Sequence, residues 1–325
     1  MKTPQFWHTK NLLAYLLLPL SLLYLFGHFL NCFRKTPTKI NKPIICIGNL
    51  VAGGAGKTPV AIALGEILQE LDIDFAYLSA GYGGWIKDFV LVDKQKYSSK
   101  DVGDEPLLLS EIAATFISRN RLFGAQKIAA MPAKKLIIMD DGLQNPTIIK
   151  DFSILVIDGN YGIGNGFVMP AGALREPVAI GIKKADLVII VGDDKAGIAE
   201  SFCVDKKVIG AKIKVINADK FYQKSVVAFC GIGRPEKFFD SLEQNKINVI
   251  SKFSYADHHQ YKSSEIDKMI NFARKNQLQL ITTKKDWVRL DPIYQTQIDY
   301  LDIKIEFKNE SYIREKLINL VNGKN

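Results

Sequence analysis

The segment Ile44-Ile-Cys-Ile-Gly-Asn-Leu-Val-Ala-Gly-Gly-Ala-Gly-Lys-Thr58 constrains the fold more than any other stretch of the chain. A β-branched apolar run enters a glycine-rich turn, and Gly56-Lys57-Thr58 then opens a helical pattern at Pro59, a residue tolerated in a first turn. A strand that feeds a helix in this way belongs to a βαβ unit, so a mostly parallel sheet flanked by crossover helices is expected. The turn also has a chemical reading. Its backbone N–H groups can point at an anion, and the helix N-terminus adds favourable dipole potential. A side chain there would block the approach of phosphate oxygens. Lys57 is expected to contact the β- and γ-phosphates of ATP, and the Thr58 hydroxyl to ligate Mg²⁺. Val51, Ala52, Gly53, Gly54, Ala55, Gly56, Lys57 and Thr58 form the expected cradle, with Val51 where G-x-x-x-x-G-K-[ST] has its first glycine. The duller alternative is a strand-to-helix turn that binds nothing.

From Lys42 onward, short apolar runs alternate with helical patterns. Strands are expected at Ile44–Ile47, Phe75–Ser79, Leu136–Met139, Ile154–Ile157, Leu187–Val191, Val226–Cys230 and Leu280–Thr283, with Val249–Tyr255 also strand-like. Helices are expected at Val60–Leu71, Glu105–Phe116, Glu236–Gln244 and Glu265–Lys275. The polar, weakly periodic stretch Asp193–Asp205 is the expected boundary between two domains, a core over residues 42–200 and a C-terminal part over 201–325.

The 325 residues are 47% hydrophobic and 24% charged, which excludes a disordered chain. Lys and Arg outnumber acidic residues 43 to 34, an excess that suits a nucleic acid, a membrane surface or a phosphorylated ligand without choosing among them. Cys32, Cys46, Cys203 and Cys230 are scattered without metal-ligand spacing and read as reduced, buried thiols. Leu12 to Phe33 carries no charged side chain over 22 residues, about the length that crosses a bilayer. Lys2 and Lys10 precede it, and Arg34, Lys35, Lys39 and Lys42 follow it. No small-residue cleavage site follows, so residues 1–41 are expected to be an uncleaved membrane-associating helix, spanning or lying in the interface. A buried core helix is the alternative.

Three further clusters carry chemistry. Leu136-Ile-Ile-Met-Asp140-Asp141 is an apolar strand ending in acid beside the phosphate loop, where a carboxylate can hold Mg²⁺. Neighbouring strand residues face opposite ways, so both Asp can serve one ion only if the strand has ended. Asp104-Glu105-Pro106 stands where a helix begins, and Asp104 taken alone reads as an N-cap. Asp257-His258-His259 holds two of the four histidines, and a His against a carboxylate can accept a hydroxyl proton.

Taken together these motifs are recognisable. GNLVAGGAGKTP, SAGYGG, VGDEPLLL, DDGLQ, GNGFVMPAGALREP, GIGRPEKFF, ADHH and TTKKDWV, in this order and spacing, resemble the tetraacyldisaccharide 4'-kinase (lipid A 4'-kinase) family over essentially the whole chain. The resemblance implies a P-loop α/β kinase with a second, smaller α/β domain and an N-terminal hydrophobic helix. It implies transfer of the ATP γ-phosphate to the 4'-hydroxyl of a tetraacylated glucosamine disaccharide 1-phosphate, at the cytoplasmic face of the inner membrane, with no nucleic acid and no protein partner. Motif by motif, it assigns Lys57 to catalysis together with an Asp104–His258 pair. Metal ligation falls to Thr58, Asp141, Asp140 and Glu105, with Asp141 the favoured carboxylate. Tyr82, Arg175 and Glu176 are placed near the substrate. The family's S-R-G-Y-G reads Ser79-Ala80-Gly81-Tyr82-Gly83 here, so another cation, Arg119 or Arg121, is expected to face the substrate phosphate. Two rivals are a partitioning-type ATPase, which generally has Lys where Ala52 stands, and a nucleotide-gated binding module without chemistry.

Overall fold

The computed structural model describes residues 4–202 and 206–323, so Lys2 and Cys203 lie outside the described residues. Strand β1 (Ile44–Gly48) is buried along its whole length, which requires cover on both faces of its sheet. Ile44 and Cys46 enter one hydrophobic cluster and Ile45 and Ile47 another, as the two-residue repeat of a strand dictates. The strands that follow are β2 (Phe75–Ser79), β3 (Val90–Leu91), β4 (Thr115–Ile117), β5 (Leu136–Asp140), β6 (Phe152–Asp158), β7 (Leu187–Val191) and β8 (Lys207–Val215). After them come β9 (Ser225–Cys230), β10 (Asn248–Ser254), β11 (Gln279–Thr283), β12 (Asp299–Leu301) and β13 (Ile303–Phe307).

The larger sheet has nine strands in the order β13-β8-β7-β6-β1-β5-β2-β4-β3. Its inner pairs are parallel, and β13–β8 and β3–β4 are antiparallel. The helix Lys57–Glu70 covers one face through Val60, Ala61, Leu64, Ile67 and Leu68, a stripe of helical spacing. The helix Arg121–Ala129 covers the other through Ala125, Ile128 and Ala129. Parallel neighbours end at one edge, and Ile47 of β1 is in register with Asp140 of β5. The turn after β1 and the acidic end of β5 are thereby side by side.

A second, four-stranded parallel sheet has the order β10-β9-β11-β12. The helix Pro235–Gln244 buries Phe238 and Leu242 on one face, and Ser263–Lys275 buries Ile266, Met269, Ile270 and Ala273 on the other. The expected divide at residue 200 does not coincide with this partition. β8 and β13 both join the larger sheet, with Val215 paired to Ile303, so the smaller sheet is threaded between two strands of the larger one. The expected helix Glu105–Phe116 is also shorter. It ends at Leu109, and Thr115, Phe116 and Ile117 pair with β2 because β-branched and aromatic side chains fit a sheet better than another helical turn.

The apolar N-terminal run is broken, into Leu12–Leu16 and Leu18–Phe33, with Pro19 in the first turn of the second helix. Among the described residues no helix is long and apolar enough to cross a membrane. The core-helix alternative fails, since Leu12 is 77% exposed, Phe33 is 87% exposed, and Leu16, Leu22, Leu23 and Phe26 are exposed as well. Polar contacts seat the segment on the loop before Leu174. Trp7 Nε1 donates to the Pro170 carbonyl at 3.0 Å, and Ser21 Oγ donates to the Val168 carbonyl at 2.7 Å and accepts from Ala171 N at 3.2 Å.

Gly65, inside the helix Lys57–Glu70, tests this packing. A Cβ there would come within 1.9 Å of Tyr77 Oη, which donates to the Ala61 carbonyl at 2.8 Å. Helix propensity favours Ala over Gly by about 0.5–1 kcal/mol, whereas overpacking costs about 1–3 kcal/mol. Gly65→Ala is therefore expected to lower the thermal unfolding midpoint followed by circular dichroism. A raised midpoint would mean that the helix does not lie this close to β2.

Candidate active site

The phosphate loop is shaped by its neighbours before any ligand arrives. Val51 bridges to Leu174, and Ala52 N donates to the Ala173 carbonyl at 2.8 Å. Buried Asn49 donates through Nδ2 to the Val51 carbonyl at 2.7 Å and accepts from Lys57 Nζ at 3.2 Å. Gly53 and Gly56 have φ of +120° and +92°, a region that disfavours a side chain. Gly54 needs glycine for neither reason within the protein, because its φ is ordinary and an added Cβ would meet nothing within 4 Å. That open space fits a ligand pressed against the backbone. Among the described residues no side chain caps the helix Lys57–Glu70, which leaves its first-turn N–H groups for an anion.

At the end of β5, Asp140 is 1% exposed, and neither carboxylate oxygen has a hydrogen-bond partner among the described residues. Burial, reinforced by Glu105 and Asp141, pushes its pKa up to about 7 against the opposing pull of Lys57 and Arg121. The strand stops there, and Asp141 turns with φ +50°. Both its oxygens accept from Arg175 Nη1, at 2.8 and 3.0 Å, and Lys57 Nζ lies 3.6 Å away. Burial works to raise the Asp141 pKa, but Lys57 and Arg175 outweigh it and hold the group below the ordinary value. An orphaned buried carboxylate beside a phosphate loop fits a divalent cation.

The third component joins the two sheets. Asp104 begins the short helix Asp104–Leu109 and is not its cap, which is Gly103. Its Oδ1 accepts from Glu105 N at 2.9 Å, and its Oδ2 lies 3.0 Å from His258 Nδ1. Burial would raise its pKa, yet Lys285, the His258 hydrogen bond and Arg289 together hold it far below the usual carboxylate range. An ionised carboxylate can only accept, so Nδ1 of His258 donates and Nε2 is left free to take a proton. His258 has φ +57°, and its N–H donates to the Gly231 carbonyl at 3.1 Å and to Asp257 Oδ1 at 3.0 Å. Gly233, in the loop after β9, would place a Cβ 3.0 Å from Gly54 N, so the histidine side abuts the phosphate loop.

Exposed Tyr82 stands edge-on to the His258 ring at 5.4 Å. Its loop lies tight against the next: a Cβ on Gly103 would come within 2.4 Å of the Tyr82 carbonyl. Two expected substrate contacts are elsewhere. Glu176 is fully buried, accepts from Gln144 Nε2 at 3.0 Å and pairs with Lys184, so it braces the loop before it and presents nothing outward. Arg121 is 7% exposed and donates to the Leu78 carbonyl at 2.9 Å; it supplies positive charge beneath Asp140 and Asp141 and does not fill the surface position left at Ala80. Glu105 Oε1 accepts from Lys285 at 3.1 Å. Asn49, Lys285 and Arg289 were missed by the sequence reading. The i,i+4 spacing of Lys285 and Arg289 after a Thr283 N-cap was the available signal.

The site can thus hold phosphates and a cation and offers a proton acceptor. The family model described as "Tetraacyldisaccharide-1-P 4'-kinase" matches residues 13–322. The tetraacyldisaccharide 4'-kinase of Rhodospirillum rubrum is 38% identical over 312 residues, 94% of each chain. That of Rhodospirillum centenum is 38% identical over 331 residues, 100% of this chain and 98% of the relative. The crystal structure of LpxK from Aquifex aeolicus in complex with ATP superposes with a TM-score of 0.77 at 26% identity, covering 95% of this chain and 100% of that one.

The Asp140 environment sets a pH dependence. A group whose folded pKa lies above its unfolded value binds more protons when folded, so its stabilising contribution is present below the unfolded value of 3.8 and lost as pH rises through about 7. Asp140→Asn removes that loss. The variant should melt above the wild type by a margin that widens between about pH 5 and pH 8 in thermal melts. A margin that stays constant would show that Asp140 is ionised throughout.

Proposed function

This chain belongs to the tetraacyldisaccharide-1-P 4'-kinase family, and from that premise we propose how its residues divide the reaction. It is a kinase that binds ATP and transfers the γ-phosphate to the 4'-hydroxyl of a tetraacylated glucosamine disaccharide 1-phosphate in lipid A biosynthesis. The observation that carries the division of roles is the Asp104–His258 contact of 3.0 Å, made between the helix Asp104–Leu109 and the loop after β10, beside the phosphate loop.

Lys57, paired with Asn49 and close to Asp141, is positioned to take the β- and γ-phosphates. Thr58, Asp140, Asp141 and Glu105 would hold Mg²⁺. The bare oxygens of Asp140 make it the foremost carboxylate in place of the expected Asp141, whose oxygens Arg175 occupies. When bound there the ion neutralises charge on the transferring phosphoryl group. His258 Nε2 accepts the proton of the sugar hydroxyl while ionised Asp104 steadies Nδ1–H, a role worth about 10²–10⁴-fold. Tyr82 and Arg175 line the sugar side. The smaller domain, in this reading, is the four-stranded sheet with its helices, bringing His258 to the phosphate loop.

The exposed apolar face of residues 12–33 lies in the interface of the inner membrane, on its cytoplasmic side, where an acylated acceptor resides. With γ-labelled ATP and the disaccharide acceptor in detergent, label should enter the lipid, and Lys57→Ala should cut transfer more than about 100-fold. ATP hydrolysis without lipid labelling would identify an ATPase instead. Leu23→Glu with Phe26→Glu should weaken vesicle sedimentation and activity on bilayer-embedded acceptor, while detergent-dispersed acceptor is turned over as before. Equal losses in both assays would return the segment to a structural role.

A further inference from the structure

We infer that Arg289 is a positioning residue that sets both members of the Asp104–His258 pair with one guanidinium. The inference rests on the proton-acceptor role given to His258 above. Arg289 follows the short helix Lys284–Trp287, on the side of the smaller sheet, and its side chain has no exposed surface. Its Nε donates to Asp104 Oδ2 at 2.7 Å, and Nη2 lies 2.6 Å from the same oxygen. Its Nη1 donates to the Gly231 carbonyl at 2.8 Å and to Asp286 Oδ1 at 2.9 Å. The Gly231 carbonyl is the acceptor of the His258 N–H, and Gly231 N donates in turn to Asp286 Oδ1 at 2.9 Å. One edge of the fork therefore fixes the carboxylate, and the other fixes the backbone that carries the imidazole.

That backbone needs fixing. At φ +57° a histidine sits in a region that persists only when its surroundings hold it there. Tyr261, which donates to Asp286 Oδ1 at 2.7 Å, closes the loop containing His258 onto the same carboxylate. Lys285 cannot replace the arginine. It is engaged with Glu105 at 3.1 Å, stands 4.0 Å from Asp104 Oδ2, and as a point charge lacks the planar fork. A buried ion pair of this kind adds little stability over an apolar filling. Its value here is geometric, since about 1 Å of misplacement at a reacting centre costs on the order of 10²-fold in rate.

The experiment measures kcat and the ATP KM of Arg289→Ala and Arg289→Lys on detergent-dispersed acceptor, with and without added guanidinium chloride at non-denaturing concentration. Expected are a kcat about 10²-fold down in Arg289→Ala and an ATP KM within about twofold of wild type. Guanidinium should restore kcat severalfold, and sodium chloride of equal ionic strength should not. The Asp104→Ala/Arg289→Ala double variant should be no slower than Asp104→Ala alone, because residues acting as a unit are not additive. If Arg289→Ala does not fold, Arg289→Lys keeps the buried charge and should show the same split between kcat and KM. Multiplicative losses, or a KM that rises as far as kcat falls, would overturn the inference. Failure of the wild type to label the lipid would overturn the assigned reaction instead, so the two failures are distinguishable.

Discussion

Asp104, Glu105, Asp140 and Asp141 share one largely buried corner, and mutual repulsion in a low-dielectric setting would cost several kcal/mol if each were left unmatched. Much of the surrounding architecture answers that repulsion. Arg289 and His258 come from the side of the smaller sheet to Asp104, and Lys285 to Glu105. Arg175 and Lys57 meet Asp141 from the loop before the helix Val178–Lys183 and from the phosphate loop. Arg121 lies buried below. Asp140 is the group left one cation short, and it is also the one beside the phosphate cradle. The imbalance is therefore local and directed at the place where nucleotide charge and a divalent ion are expected together.

How far the sequence discloses this depends on the range of the interactions. The strands of the phosphate-loop core were legible because each is buried on both faces and so reads as an unbroken apolar run, as β1, β5 and β7 do. The loop itself was legible because glycine, lysine and threonine act through local backbone geometry. The end of the helix after Asp104 was not, since Thr115–Ile117 becomes strand only by pairing with Tyr77–Ser79. Nor was the return of the chain to the larger sheet, because β8 alternates buried and exposed residues and signals an edge without naming its partner. Glu176 and Arg121 misled for a related reason. A charged residue in a motif suggests a surface contact, and only three-dimensional neighbours reveal that its charge is spent internally.

The N-terminal segment satisfies two opposed demands. Trp7 and Ser21 fasten it to loop carbonyls on one side, while leucines and aromatics face outward on the other. The fastening loop continues to Ala173 and Leu174, which pair with Ala52 and Val51 of the phosphate loop. The apolar surface and the glycine-rich loop are thus joined by one stretch of hydrogen-bonded backbone.

The threading of the smaller sheet between β8 and β13 has a consequence for biosynthesis. A ribosome delivers β8 long before β13, so the larger sheet carries an open edge throughout synthesis of the intervening strands. β8 is paired on that side only when Ile303–Phe307 emerges to become the terminal strand and the helix Glu310–Val321 lays Ile313 and Leu317 onto the same core as Leu64. A nascent chain stalled anywhere between the two strands would hold a completed phosphate loop beside an unsealed, aggregation-prone margin. The last strand to be made is the one that makes the first domain safe.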